Sequence, residues 1–159
     1  MRDELDTKSV NDLIESACIE RDQHNLSEII LTLQSRGTLE VFDAAYHLCV
    51  DQDPYKRIIG FRILEDLGTL ELAFPNETRD LAIHLAEKES DTNVLIAIIR
   101  VLARVGGFSA VCTLEKLQQS PINQVRYGII SAVSHTLSKE NQLSALPIVM
   151  RALIDIDIG

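Results

Sequence analysis

The chain has no tryptophan, and aromatic residues make up only 4% of its 159 positions. Its core must therefore be filled by aliphatic side chains, which suits helices stacked through Leu, Ile, Val and Ala. An excess of basic residues is also missing. The formal net charge of −9 argues against general binding to nucleic acid, whose phosphates repel an acidic surface. A local basic patch remains compatible with that total, because a partner feels the local field. No apolar run is long enough to span a bilayer, and the first residues, MRDELDTKSV, contain no apolar signal core. Only three cysteines occur, Cys18, Cys49 and Cys112, far apart and without metal-type pairing. Each sits in an apolar helical pattern, where a free cysteine behaves as a small buried hydrophobe. The odd count suits a reducing compartment, and the expected location is cytoplasmic.

Catalytic signatures are absent as well. There is no G-x-S-x-G, phosphate loop, H-E-x-x-H or dinucleotide fingerprint, so no enzyme is expected and no cofactor or metal is called for. Gly106 and Gly107 precede a helix but fit helix termination better than phosphate binding. His84 and Glu87 stand one turn apart without the further carboxylates and second histidine that a dimetal site needs. They read as a solvated face. His47 and Cys49, two apart on a helix, point in different directions.

What is present, from end to end, is helical periodicity in a chain that is 46% hydrophobic and 25% charged, an ordinary globular balance. Ser9 opens a first helix in a capping-box arrangement with Asp12, and Val10, Leu13, Ile14, Ala17 and Cys18 form its apolar face. Asn25 with Glu28 opens a second, closed by Gly37, and Thr38 starts a third. Residues 53–68, DPYKRIIGFRILEDLG, form a fourth, with Asp53 as cap, Pro54 in the first position and Gly68 at the end. Further helices are expected at 76–89, 91–105, 109–119 and 123–137, and a ninth near 144–153 if Pro147 lies in its first turn. The fold class is all-α.

The chain also repeats itself. DPYKRIIGFRILEDLG aligns with DTNVLIAIIRVLARVG at an offset of 38, matching Asp53 to Asp91, Arg62 to Arg100, Leu64 to Leu102 and Gly68 to Gly106. A third copy, INQVRYGIISAVSHTL, follows 31 residues on and places Val125 under Val94 and Ile129 under Ile98. Each copy follows another amphipathic helix, so the unit is a helix pair, which buries its apolar face by stacking on neighbouring pairs.

The Asp-Pro opening, the early arginine, the apolar run and the closing L-x-x-L-G resemble HEAT repeats of the short bacterial type, including the HEAT-like repeats of phycobilin lyases. The resemblance covers nearly the whole chain, most weakly before residue 38. It implies a right-handed α-α superhelix of about four to five helix pairs in a single domain spanning 1–159. ALPIVMRALIDID, residues 145–157, resembles a first helix and its turn, so the chain is expected to be the N-terminal part of a longer array that could self-associate through its C-terminal end.

In that family the second helix of each repeat lines the concave surface. The resemblance puts Arg57 and Arg126 at an internal ladder between repeats, interrupted at Leu95. It puts Arg62, Arg100 and Ser131 at an outward position, with Ile58, Ile96 and Tyr127 one turn earlier. Two parallel rows result, one apolar and one basic to polar, the second extended by Arg104 and His135, and Tyr55 is also expected among the partner-binding residues. The helices 54–67, 92–105 and 123–137 carry +1, +2 and +1, a combined +4 in a chain of −9. Arginine and aromatic groups beside apolar surface have the composition of a protein-binding hot spot. The expected function is a non-catalytic scaffold that binds a protein with an acidic and apolar epitope. Small bacterial HEAT-like proteins of similar appearance occur beside toxin enzymes, so a dedicated inhibitor or immunity protein for such an enzyme is a second expectation that the resemblance permits. A HEAT-like DNA glycosylase or bilin lyase is a third, although such glycosylases use a strongly basic groove.

Overall fold

The computed structural model describes residues 2–69 and 71–136. Among them are nine helices and no strand: α1 (Arg2–Thr7), α2 (Val10–Ile19), α3 (Gln23–Arg36), α4 (Leu39–Cys49), α5 (Pro54–Glu65), α6 (Pro75–Ala86), α7 (Thr92–Val105), α8 (Phe108–Leu117) and α9 (Asn123–Thr136). The chain is all-α, as expected. The helix expected near 144–153 lies outside the described residues, whereas α1 had no counterpart in the sequence reading.

Most helix starts follow from short polar side chains that accept bonds from free backbone amides. Ser9 Oγ accepts from Asp12 N at 3.1 Å, and the same hydroxyl donates to Asp12 Oδ2 at 2.6 Å. Asp53 caps α5 through Tyr55 N, and Asp91 caps α7 through Asn93 N and Val94 N. The start of α3 differs from expectation. Asp22, not Asn25, is the cap, because its Oδ1 accepts from both His24 N and Asn25 N. Asp91→Ala should therefore lower stability by about 1 kcal/mol, since it frees two amide donors at once, and a urea titration of the variant checks this.

The described residues fall into two compact units that divide between Pro75 and Asn76. In the first, α2 packs on α3 and α4 on α5, while α2 also packs on α4 and α3 on α5. Two helix pairs thus share a core of Leu13, Leu26, Leu33, Ala45, Cys49, Ile59, Phe61 and Leu64, all essentially inaccessible. Helix α1 covers part of α3. The ends of α3 and α5 are tied together. Gly68 N donates to Gln34 O at 2.8 Å, and the buried Gln34 side chain donates to Arg62 O at 2.8 Å. Gly37, the cap of α3, meets Gly68 there, for a Cβ added to Gly37 would lie 3.2 Å from Gly68 Cα. Helix α5 itself ends at Glu65 with Asp66 as its cap, three residues before the glycine expected to close it.

In the second unit α7 packs on both α8 and α9, around Val94, Ile98, Ile99, Leu102, Leu114, Val125 and Ile129. Helix α7 is buried over most of its circumference, the pattern of an element covered on more than one side. Its end is a glycine turn: Gly106 N donates back to Leu102 O at 3.1 Å, and Gly107 adopts φ 91°. Arg79 fills the space beside Gly107, its Nη1 3.0 Å from where a Cβ would stand. The turn thus terminates a helix, in line with the sequence.

Candidate protein-binding site

The two arginines expected in an internal ladder turn out to share one local geometry. Arg57 Nη1 donates to Asp51 O at 2.9 Å, and Arg126 Nη1 donates to Ser120 O at 2.8 Å, in each case six residues back. Arg57 also reaches Gln52 O at 2.9 Å. Each guanidinium braces the turn that precedes its own helix, so the two positions share one local contact. The resemblance had implied bonds between neighbouring repeats. These three bonds run to the turn that opens each arginine's own helix.

In the first unit, Ile58 and Arg62 stand one turn apart on α5 and are half-buried. Tyr55, grouped with them from the sequence, is engaged elsewhere. Its hydroxyl donates to Glu20 O at 2.6 Å, and the Arg21 guanidinium lies 4.1 Å above its ring. Tyr55 therefore fastens the start of α5 to the end of α2, a contact between residues 35 apart in sequence. The neighbouring Asp51 carboxyl is held below the usual carboxylate range, first by the Asp53 backbone N–H and then by Lys56, whose Nζ lies 3.3 Å away.

In the second unit, α7 presents Ile96, Arg100 and Arg104, and α9 presents Tyr127 and Ser131, with His135 one turn further along α9. Arg100, Tyr127 and Ser131 are exposed, Tyr127 at 73%. Arg104 is half-buried. Ile96 is half-buried because it packs on α9, its Cγ1 3.4 Å from the Cβ position of Gly128. The apolar row is therefore uneven here: Ile96 contributes to the α7–α9 contact, while Tyr127 lies largely in solvent.

Other residue groups show little chemistry. Among the described residues no cluster of three or more His, Cys, Asp or Glu side chains could hold a metal ion. Exposed His84 pairs with Lys88, Nε2 to Nζ 3.0 Å, and not with Glu87. No described helix is long and apolar enough to cross a membrane. A cleft of about 310 Å³ opens between α1, α2 and α3, with Leu5, Ile19 and Ile29 among its walls, close to the lower size limit for small-molecule sites. No sequence motif marks it, since its walls come from three helices.

The cysteines behave as packing residues. Cys49 is fully buried and burial pushes its thiol strongly upward; Cys18 is half-buried and is raised chiefly by the same desolvation. The thiolate is the reactive form. In the folded protein Cys49 should therefore resist iodoacetamide, reacting at least about tenfold more slowly than half-buried Cys112, as peptide mapping of timed samples would show. No family model, curated protein or solved structure matches this chain.

Proposed function

We propose that this protein is a non-catalytic α-solenoid of the HEAT-like type, built from four to five helix pairs, that binds another protein through a face lined by second helices. The observation that carries the reading is the exposure of Arg100 and Tyr127 on the directly packed helices α7 and α9. An exposed tyrosine and an exposed arginine on two packed helices suit a hot spot, because a tyrosine loses little side-chain freedom on binding. The stacking of α2 on α4 and of α3 on α5 supports the repeat architecture, as does the shared bracing geometry of Arg57 and Arg126. On the second unit the partner offers a carboxylate to Arg100 and an apolar group to Tyr127, and on the first it offers a carboxylate to Arg62.

Affinity capture from the native cell extract tests this, with wild type beside an Arg62→Glu, Arg100→Glu double variant. Reversing two charges at a contact is expected to weaken capture of a specific partner by at least about tenfold, or 1.4 kcal/mol. A partner held equally by both proteins would remove these helices from the interface.

A further inference from the structure

Helix α4 has a second, differently charged surface. Leu39, Tyr46 and the capping residue Val50 are 57%, 41% and 49% exposed, whereas Val41, Phe42, Ala45, Leu48 and Cys49 supply the buried face. Leu39, Asp43, Tyr46 and Val50 follow one another at spacings of four, three and four, so they share one face of the helix. The Tyr46 ring is backed by Phe42 at 6.4 Å between centroids, and Phe42 in turn packs on Phe74 at 5.0 Å. Tyr46 is thus a seated aromatic group with its outer side in solvent.

The charges around this strip have one sign. Glu40 and Asp43 are exposed on α4, and the helix has no lysine or arginine; exposed His47 edges Tyr46 at 6.1 Å. From this face we infer that α4 docks an amphipathic helix of a partner protein, whose aliphatic stripe lies along Leu39, Tyr46 and Val50 and whose Lys or Arg side chains reach Glu40 and Asp43. Apolar anchors at these spacings are how a helix reads a helix. Complementarity selects the sign of the partner. A second copy meeting this face with its own α4 would set Glu40 and Asp43 against their like, and an anionic lipid surface would be repelled in the same way. The strip shares no residue with the arginine site proposed above, and it selects a partner of opposite charge.

The test uses a dye-labelled synthetic peptide of about 18 residues with leucine and lysine in helical register, titrated with the whole protein and followed by fluorescence anisotropy. The expected result is saturable binding that weakens at least about tenfold in a Leu39→Ser, Tyr46→Ser variant and again in a Glu40→Lys, Asp43→Lys variant. A Leu31→Ser variant should bind as wild type, because Leu31, although 46% exposed, lies on α3. Circular dichroism on each variant verifies folding. Three results would overturn the inference. One is the absence of saturable binding. Another is loss in the charge variant with full retention in the Leu39→Ser, Tyr46→Ser variant, which would reduce the effect to diffuse electrostatics. The third is concentration-dependent self-association abolished by Tyr46→Ser, which would assign the face to a second copy.

Discussion

Replacing Gly68 with alanine is expected to cost about 3 kcal/mol or more of stability, the largest effect of any single methyl group in the first unit. Three causes act together. Gly68 sits at φ 88°, a region an L side chain reaches only with strain of about 1–2 kcal/mol. Its Cβ would stand 2.4 Å from Glu71 O and 2.8 Å from Ala73 N, and both obstacles are backbone that cannot rotate away. Relief requires moving the turn, yet that turn is held by Ala73 N donating to Leu67 O at 2.8 Å and Thr69 N donating to Asp66 O at 2.7 Å. It already carries two positive-φ residues that are not glycine, Thr69 and Phe74. The movement would also loosen the bond from Gly68 N to Gln34 O, leaving a carbonyl at the end of α3 short of its donor. Gly37→Asn makes the comparison. Its φ of 57° and ψ of 22° suit asparagine, and only the 3.2 Å approach to Gly68 Cα opposes it. Urea unfolding should place Gly37→Asn well above Gly68→Ala in stability, and a loss below about 1 kcal/mol at Gly68 would contradict the argument.

The legible parts of this chain were those decided by neighbours in sequence. Ser9, Thr38, Asp53 and Asp91 cap helices because a short polar side chain reaches amides two or three residues on, and Gly37 and Gly106 end helices through their positive φ. The expected start at Asn25 failed for a local reason too. Asp22, three residues earlier, already takes the His24 and Asn25 amides, so Asn25 lies inside the helix and not at its cap. Tyr55 could not be placed from sequence, because its partner is a carbonyl at Glu20 at the end of another helix. Buried Gln34 escaped notice for the same cause: its amide finds Arg62 O, 28 residues away. Equally hidden was the strip on α4, since nothing in the sequence tells that Leu39, Tyr46 and Val50 of that segment remain exposed. The candidate site was legible in part. Repeat alignment found the outward position of Arg100 and Ser131, but it could not tell that Ile96 packs against Gly128 while Tyr127, one repeat on, remains in solvent.

The same substitution at two helical glycines should change stability in opposite directions. Gly128 lies within α9, and its added Cβ would rest 3.4 Å from Ile96 Cγ1, an ordinary van der Waals distance. Gly128→Ala therefore keeps the packing and gains helix propensity, so stability should rise by about 0.5–1 kcal/mol. Gly60 lies within α5, where the Cβ would stand 2.8 Å from Ala45 O, Cys49 N and Cys49 Sγ. Two of these three atoms belong to the backbone of α4, so the clash is relieved only by pushing the two helices apart. Overpacking of this kind costs about 1–3 kcal/mol and more when backbone must move, which outweighs the propensity gain of about 1 kcal/mol. Gly60→Ala should thus lower stability by about 2 kcal/mol in a urea titration. Cys49→Ala separates the contributions. In the Gly60→Ala background it removes the sulfur contact but neither backbone contact, so it should recover only part of the loss. Full recovery would show that α4 and α5 can approach without a glycine, and that the sulfur alone set their separation.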